Sequence, residues 1–460
     1  MKTKCSLKAV AVCCVMLLMG CNDKSGEDEG TGAQAAYDPN SPVTLSDFMP
    51  DSGRIREKVI IKGSNFGNDK SKIAVYFNDG LVDRKATVIG IDNSTIYCLA
   101  PRQEPGRNRI KVVTSYGSAD NVVEFPDGRA FAYSQAENVT TISGSTTSSG
   151  TDDGTLAEAK FSYMFGVGAI GSEAMLVFQR DNASVRYVSV PEDRVITVHK
   201  GFQGGKPAVT KDKNTVYATQ WLTPHAIYSY SRSSGWSPQR IGQIAGFSGR
   251  IRSVCFCGDN EDYLYFLDAS GKLGRYALNA KMGEDPVEVI QNPLKDTESN
   301  LTMALHDQGY YMIYNSFDGY FYISTQGNSG GIYRMKLEFD ENGKPAVAEM
   351  ITYAGFKSGG VVDGYLDDCQ FVQPNGLTVD DLGNIFIVEG FAVSVLRKIS
   401  VVDGYVSTVA GKVTSGNGDQ KDGLPDVARF CSPYDIANDG EGNYWIVEAW
   451  GAAVRKYAVE

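Results

Sequence analysis

One stretch of the sequence occurs twice and decides the fold. Residues 371–389 read FVQPNGLTVDDLGNIFIVE, and residues 430–448 read FCSPYDIANDGEGNYWIVE. Each copy runs from Phe-x-x-Pro through a short apolar segment to Asp-x-x-Gly-Asn, and then through a second apolar segment to Glu. Two short apolar segments joined by a Gly-Asn turn are typical of two antiparallel strands. Their return at a fixed spacing indicates a repeat architecture.

The repeated unit extends in both directions from this stretch. An Ala-Gly pair and an Asp-Gly pair recur upstream, and an Arg-Lys pair recurs downstream, so the two full copies span 352–399 and 408–457. Weaker copies, with the same order of apolar runs and turn residues, occupy 142–187, 209–230, 244–276 and 312–334. Each unit leaves an apolar face that only a neighbouring unit can cover, so residues 135–460 are expected to form one domain.

The pattern resembles the NHL repeat, in which a unit begins at Pro-x-Gly, turns at Asp-x-x-Gly-Asn and closes on Arg-Lys-Ile. The two C-terminal copies carry this pattern most fully. The resemblance implies a β-propeller built from four-stranded blades. Six copies predict six blades, and a strand hidden in residues 127–140 would make seven.

A different organisation precedes the repeats, in residues 42–126. Short β-branched runs such as Val59–Lys62, Ile73–Phe77 and Ile110–Thr114 are bounded by Gly, Asn, Asp or Pro, which is typical of a sandwich of short strands. The turn Gly-Ser-Asn-Phe-Gly at 63–67 and the Ala-Pro pair at 100–101 resemble the IPT/TIG family of Ig-like domains. The predicted fold is therefore all-β, with an Ig-like β-sandwich followed by a six-bladed NHL-type β-propeller. The resemblance implies a spacer rather than an activity.

The first residues predict the cellular compartment. Residues 1–20 combine three lysines with an apolar run, Ala9–Met19, that is too short to span a bilayer but suits a signal peptide. The following Cys21 completes a sequence that resembles the bacterial lipobox, which implies that this cysteine carries the lipid. An ordinary secretory signal cut elsewhere is the alternative. Residues 21–41 form an acidic tether that resembles the export signal of surface lipoproteins in Bacteroidota, or else a plain linker.

Composition and charge narrow the function. Fifty glycines together with 20 Phe, 25 Tyr and 4 Trp suit many short strands joined by tight turns. The net charge of −11 and the lack of a basic block argue against nucleic acid as a partner. With only three histidines, a multi-histidine metal site is not expected. Outside the signal peptide and Cys21 there are five cysteines, an odd number, so at least one thiol is expected to stay free or to pair unusually.

One face of the predicted propeller carries the candidate binding residues. The loops that lead into the first strand of each unit lie on the same face as the loops that leave the second strand. Rings on this face can cover the apolar side of a sugar, while amides and carboxylates bond its hydroxyls. We therefore predict non-covalent binding of a glycan or another nutrient by Trp221, Phe391, Trp450, Tyr434, Asn375, Asp435, Glu389, Glu448, Gln326 and Arg180. As alternatives, the rings fill gaps between blades, and Glu389 and Glu448 bond backbone amides at strand ends.

Two other function classes stay open at this point. One is a protein-interaction scaffold that docks on an outer-membrane transporter. The other is a calcium-dependent propeller hydrolase or lactonase, in which carboxylates at the channel mouth hold Ca²⁺. No nucleophile–base pair is visible in the sequence, so no catalytic residue and no cofactor are predicted. The whole order of segments resembles surface lipoproteins of gut Bacteroidota, which implies a lipid-anchored protein of the outer membrane that assists a starch-utilisation-type uptake system.

Overall fold

The computed structural model describes residues 37–459 except for 81, 282, 292–304, 306–308, 327–329, 358–359, 392 and 414–419. The predicted signal peptide, Cys21 and most of the acidic tether lie outside these residues. The described residues form 35 β-strands and two single-turn 3-10 helices, Lys70–Lys72 and Arg232–Ser234. The predicted all-β class is confirmed. No described helix is long and apolar enough to cross a membrane.

The first unit is a sandwich of two sheets. One sheet has the strand order β1-β3-β7-β6, and the other has the order β2-β10-β8-β4-β5 with β9 added to β8. The strands are β1 (Thr44–Met49), β2 (Ser52–Gly53), β3 (Lys58–Ser64), β4 (Ile73–Asn78), β5 (Asp83–Lys85), β6 (Thr87–Asp92), β7 (Thr95–Leu99), β8 (Gly106–Thr114), β9 (Asn121–Glu124) and β10 (Ala130–Tyr133). Alternate residues of β4 point inward, since Ile73, Val75 and Phe77 are buried in the shared core.

The sandwich ends later than the sequence indicated. Strand β10 lies beyond the predicted limit of 126, and it pairs antiparallel with β8 and parallel with β2. Its Phe131 is fully buried and meets Phe77 edge to face, with ring centroids 5.4 Å apart. A strand of four residues is too short to show a period of two, which is why the sequence did not reveal it.

The second unit consists of six consecutive sheets in the described residues. Its strands are β11 (Glu137–Gly144), β12 (Met164–Gly171), β13 (Ala174–Gln179), β14 (Ser184–Ser189), β15 (Arg194–Lys200), β16 (Ala208–Val209), β17 (Thr215–Thr219), β18 (Ala226–Ser231), β19 (Pro238–Gln243), β20 (Ile251–Cys257), β21 (Asn260–Asp268), β22 (Leu273–Ala277), β23 (Val287–Gln291), β24 (Tyr310–Asn315), β25 (Tyr320–Thr325), β26 (Gly331–Phe339), β27 (Pro345–Gly355), β28 (Gly364–Tyr365), β29 (Pro374–Val379), β30 (Ile385–Glu389), β31 (Val395–Ile399), β32 (Tyr405–Gly411), β33 (Pro433–Asn438), β34 (Asn443–Glu448) and β35 (Ala453–Val459).

These sheets are the blades of a closed propeller. Sheets β12–β15, β16–β19, β20–β23 and β24–β27 are blades 1 to 4, β28–β32 is blade 5, and β33–β35 with β11 is blade 6. The innermost strands β12, β16, β20, β24, β29 and β33 contact one another in turn around a ring. Strand β11 closes the ring because it pairs antiparallel with β35. Residues 127–140 therefore contribute to the sandwich and to the last blade, not to a blade of their own.

The Asp-x-x-Gly-Asn motif forms the turn between the first two strands of blades 5 and 6. In blade 5, one carboxylate oxygen of Asp380 accepts hydrogen bonds from the backbone N–H groups of Leu382 and Asn384, at 2.9 and 2.8 Å. Gly383 has φ +85°, a conformation that costs glycine little. Asp439 makes the equivalent bonds in blade 6.

A buried arginine holds each C-terminal blade together. In blade 5, the guanidinium of Arg397 is fully buried and bonds Glu389 at 2.9 Å and Asp363 at 3.0 Å. It also donates to the carbonyl groups of Val362 and Gln370. The residues that recur in the repeat thus meet around one side chain. We call this group of contacts the arginine clamp.

The clamp returns in blades 6 and 1. Arg455 bonds Glu448 at 3.0 Å and Asp422 at 2.9 Å. In blade 1, Arg186 bonds Asp153 at 2.8 Å, but Gln179 ends the second strand where blades 5 and 6 have glutamate. Each arginine also lies over the ring of the phenylalanine that begins the repeat motif or its counterpart, namely Phe371, Phe430 and Phe161.

We expect Arg455→Met to lower the free energy of unfolding by about 3–5 kcal/mol, because it leaves the buried Glu448 without its counter-charge. Urea titration followed by tryptophan fluorescence measures this. Arg240→Met removes the same charge from an exposed position and should change the value by no more than about 0.5 kcal/mol. Equal effects of the two substitutions would contradict the clamp.

The sandwich is fixed to the propeller through another buried arginine, Arg102. Arg102 donates to the Tyr444 hydroxyl at 2.7 Å and pairs with Asp381 at 3.1 Å. Nearby, Glu104 pairs with Lys398 at 2.8 Å and accepts a hydrogen bond from Asn384. Asp381, Asn384 and Tyr444 lie at or beside the turns between the first and second strands of blades 5 and 6. Lys398 lies close to the turn between the third and fourth strands of blade 5. The Ig-like domain therefore contacts the face opposite to the one that carries the candidate binding residues.

Loss of this contact should uncouple the two domains. Arg102→Met leaves the Tyr444 hydroxyl and Asp381 without their partner, so we expect calorimetry to show two separated unfolding transitions where the unmodified chain shows one. The control is Arg56→Met, which removes an exposed ion pair with Glu441 in the same region and should keep a single transition. Two transitions in the unmodified chain would refute the coupling.

Candidate functional site

The candidate face carries two groups of aromatic side chains, one on the propeller axis and one beside it. We call the axial group the plug, and it consists of Phe165, Trp221, Tyr311 and Tyr434. We call the outer group the rim, and it consists of Tyr163, Phe391 and Trp450. The rim lies on loops that lead into β12 or follow β30 and β34.

The plug fills the end of the central channel. The rings of Phe165 and Tyr434 stack 4.0 Å apart and within 9° of parallel, and Trp221 meets Phe165 edge to face at 5.2 Å. The Tyr311 hydroxyl donates to the Phe165 carbonyl at 2.8 Å. The Arg252 guanidinium lies 4.1 Å from the centre of the Trp221 ring. Because four of these residues come from innermost strands of different blades, their contacts cross the axis and close the channel there.

Three of the four plug residues, and Arg252 beside them, share a position in the repeat, whereas Trp221 follows a second strand. Phe165, Arg252, Tyr311 and Tyr434 are each the second residue of an innermost strand. This position faces the axis in every one of these blades, so the side chains converge. Burial raises the pKa of Tyr434 to about 12 and lowers the pKa of Arg252. The plug is therefore a packed structure, and Trp221 and Tyr434 are only 7% and 2% exposed.

The rim is more open. Trp450 is 40% exposed, and its indole N–H donates to the Tyr163 hydroxyl. Its ring stands at 89° to the ring of Phe391, with centroids 5.4 Å apart. Phe391 is half-buried and has φ +53°, a conformation that is uncommon for a bulky residue and occurs at binding sites more than elsewhere.

Arg180 is the polar neighbour of the rim. Its guanidinium carbon lies 4.0 Å from the centre of the Tyr163 ring, and its Nε donates to Asp181 at 2.7 Å. The two side chains are 35% and 50% exposed. Gln203 connects this pair to the plug, since it donates to the Arg180 carbonyl and accepts from the Trp221 indole at 3.2 Å.

The structure separates the predicted site residues into two sets. Phe391, Trp450 and Arg180 lie together on the open part of the face. Trp221 and Tyr434 lie beside them but are buried in the plug, as the gap-filling alternative predicts. The polar residues Asn375, Asp435, Glu389, Glu448 and Gln326 are all buried.

The two glutamates belong to the arginine clamps. Besides their arginine partners, Glu389 accepts the backbone N–H groups of Val372 and Gln373, and Glu448 accepts that of Cys431. Burial raises the pKa of both carboxyls above the ordinary value, and the neighbouring arginines offset only part of this rise. Their predicted role as ligand contacts is therefore replaced by the structural alternative, in which a repeated polar residue bonds backbone amides.

The other three polar residues bond one another or the channel wall. Gln326 donates to Asn375, which in turn donates to the Pro433 carbonyl at 3.3 Å. Asp435 pairs with Lys206 at 3.0 Å inside the channel. The carboxylates of Asp435, Glu389 and Glu448 thus lie in three separate ion pairs and do not converge as the calcium alternative requires. No cluster of three metal-ligating side chains occurs among the described residues.

The sequence did not single out every residue that forms this face. Tyr163 lies in the loop before β12 and Asp181 follows Arg180, but both belong to a weak copy of the repeat. Phe165 and Tyr311 occupy the same repeat position as Tyr434, and this equivalence is the signal that would have identified them.

The thiols behave as expected for packed side chains. All five cysteines of the described part of the chain are free, and they are Cys98, Cys255, Cys257, Cys369 and Cys431. Cys255 and Cys257 both pack against one hydrophobic cluster.

Comparison with known proteins supports both domains. Residues 42–125 match the IPT/TIG domain family, which confirms the predicted Ig-like domain. A protein of unknown function from Bacteroides thetaiotaomicron has a similar crystal structure, with a TM-score of 0.82 and 48% sequence identity. That alignment covers 93% of this chain and 100% of the other. A search of curated proteins found no match.

Two more distant crystal structures share the fold. Both are described as auxiliary nutrient binding proteins, one from Bacteroides thetaiotaomicron and one from Bacteroides ovatus. Their TM-scores are 0.57 and 0.56, and their sequence identities are 19% and 20%. The alignments cover 92% and 93% of this chain and 99% and 100% of the other chains.

The plug and the rim should respond differently to truncation. We expect Trp221→Ala to lower the free energy of unfolding by about 3–5 kcal/mol, because it opens a cavity in a packed cluster. Trp450→Ala removes an exposed ring and should cost no more than about 1.5 kcal/mol. Thermal and urea unfolding of both variants measure the difference, and a larger loss for Trp450→Ala would refute this division of the face.

Proposed function

We propose that this chain is a nutrient-binding protein of the cell surface. The chain belongs to the same family as the Bacteroides thetaiotaomicron protein with which it shares 48% identity. It binds a glycan non-covalently at the rim and catalyses no reaction. It acts beside an uptake system of the outer membrane, to which it delivers the captured glycan.

The observation that carries this proposal is the geometry of the rim. Trp450 offers an exposed flat ring, and Phe391 and Tyr163 stand at 89° and 63° to it. A flat ring between two upright rings suits the apolar C–H side of a pyranose, which stacks on the indole while its edges meet the neighbouring rings. The indole N–H is already bonded to Tyr163, so the Trp450 ring is held in one orientation.

The hydroxyl groups of the sugar require polar partners, and the structure supplies Arg180, one of the predicted residues, together with its neighbour Asp181. Arg180 and Asp181 are the accessible charged residues beside Tyr163. The guanidinium donates and the carboxylate accepts, so together they match a hydroxyl group, which does both. Hydrogen bonds to charged groups of this kind fix the orientation of a ligand that stacking alone would leave free to rotate.

The position of the Ig-like domain supports capture at a surface. The domain is bound to the opposite face of the propeller, and the predicted tether and lipid anchor at Cys21 precede it in the chain. The rim therefore points away from the end at which the anchor would attach. The two proteins described as auxiliary nutrient binding proteins share this two-domain fold, which agrees with the same kind of role here.

Affinity electrophoresis in gels that contain soluble polysaccharides tests the proposal. We expect at least one polysaccharide to retard the unmodified chain, and Trp450→Ala to weaken this binding at least about tenfold, equivalent to about 1.4 kcal/mol. The matched control is Phe317→Ala, which removes an exposed ring from the opposite face and should leave the retardation unchanged. Equal retardation of Trp450→Ala and the unmodified chain would refute the rim as the glycan site, and failure of every polysaccharide to bind would refute glycan capture.

A further inference from the structure

The end of the channel opposite to the plug is hollow. A cavity of about 400 Å³ and an adjoining cavity of about 260 Å³ lie there. Their walls come from the later residues of the innermost strands, such as Ala169, Cys255, Tyr314, Val379 and Asn438. The two cavities share the wall residues Lys206, Pro207, Val209, Lys211 and Thr378. Their combined volume is that of a typical small-molecule site.

All charged side chains that line the smaller cavity are positive. Its wall contains Lys206, Lys211 and Lys213 and no acidic residue. Asp435, the partner of Lys206, does not line it, and Asp259, the partner of Lys211, lines the larger cavity together with Glu261. Positive charge therefore surrounds a space whose remaining wall is mostly apolar, including Val167, Ala169, Pro207, Val209 and Ala437.

Hydrogen-bond donors remain available on this wall. Among the described residues, the side-chain amide nitrogen of Asn438 is buried and has no hydrogen-bond partner. Lys206 uses two of its donors on Asp435 and the Ile436 carbonyl, and Lys213 bonds the Asp439 carbonyl. An ammonium group has three donors, so each lysine retains capacity for an acceptor. A buried donor without a partner is unfavourable unless an acceptor occupies the space beside it.

We propose that this hollow end is a second binding site, and that its ligand is a small organic anion. The anionic group, a carboxylate or a phosphate, accepts from Lys213 and the Asn438 amide and is attracted by Lys206. The carbon skeleton lies along the apolar strands and extends into the larger cavity. Charge-assisted hydrogen bonds favour such a group over a neutral hydroxyl. The plug closes the other end of the channel, so this site is separate from the rim and does not depend on the glycan proposal.

Isothermal titration calorimetry of the purified full chain with three probes tests the site. D-Glucuronate carries a carboxylate, D-glucose 6-phosphate carries a phosphate, and D-glucose is the neutral control of similar size. We expect at least one of the two anions to bind with a stoichiometry of one and D-glucose to bind at least tenfold more weakly. The anion that binds identifies the acidic group. Absence of binding by both anions at millimolar concentration would overturn the proposal.

Variants locate the binding within the channel. Asn438→Asp keeps the shape of the side chain and the oxygen that accepts the Gly440 N–H, but it replaces the donor with a negative charge. We expect this variant and Lys213→Met each to weaken anion binding at least tenfold. The control, Lys272→Met, removes a lysine that bonds the Gly246 carbonyl on the opposite face, and it should leave binding unchanged, as should Trp450→Ala.

The folded state of each variant is checked by its melting temperature without ligand. If Asn438→Asp is destabilised, Lys213→Met together with Lys211→Met, which changes a largely exposed side chain, decides the question. Unchanged anion binding in folded Lys213→Met and Lys211→Met would overturn the assignment of the site. Loss of glycan binding in Trp450→Ala with anion binding preserved would show that the two sites are independent.

Discussion

The arginine clamp inside the blade is the contact on which the position of the other residues depends. Arg397 and Arg455 bond the carbonyl groups of Gln370 and Arg429, which lie in the loops that lead into β29 and β33. Each clamp thereby fixes where an innermost strand begins, and the second residue of that strand, such as Tyr434, faces the axis. In blade 1, Arg186 bonds the Lys160 carbonyl in the same way before β12. Phe165 and Tyr434 of the plug thus lie at strand starts that buried charges hold in place, and such charges are costly to leave unpaired.

The clamp also explains why recurring residues were misleading as site candidates. Positions that are identical in the two C-terminal copies, including the pairs Glu389 and Glu448 or Asp363 and Asp422, are the ones that each blade needs for its own packing. Positions that differ between the copies, such as Asn375 against Tyr434 and Phe391 against Trp450, point to the axis or the open face. A closed ring requires the same internal contacts in successive blades. A ligand that is not symmetric requires different side chains, so the differences between the copies carry the information about binding.

The sequence alone was sufficient for the fold class, the order of the two domains and the turns at Asp380 and Asp439, because these depend on local pattern and spacing. The sequence was not sufficient to predict which aromatic side chains are exposed. Whether Trp221 or Trp450 is accessible depends on which blades meet across the axis, and that contact joins residues far apart in the chain. The short strand β10 and the buried contact of Arg102 with Tyr444 are likewise products of tertiary packing. Weak copies of the repeat hid Phe165 and Tyr311, although both occupy the position of Tyr434.

The two ends of the channel differ in chemistry because the two halves of each innermost strand face different surroundings. The early residues are aromatic and close the axis by ring stacking, which excludes water and leaves binding to the exposed rings beside it. The later residues, such as Ala169, Cys255 and Val379, leave the axis open, and lysines from the β16 region occupy its wall. The chain as a whole carries a net charge of −11, so an anion is not drawn to the molecule by its overall field. Attraction at this end must come from local ammonium groups in a confined space, where charges are screened less than at the surface.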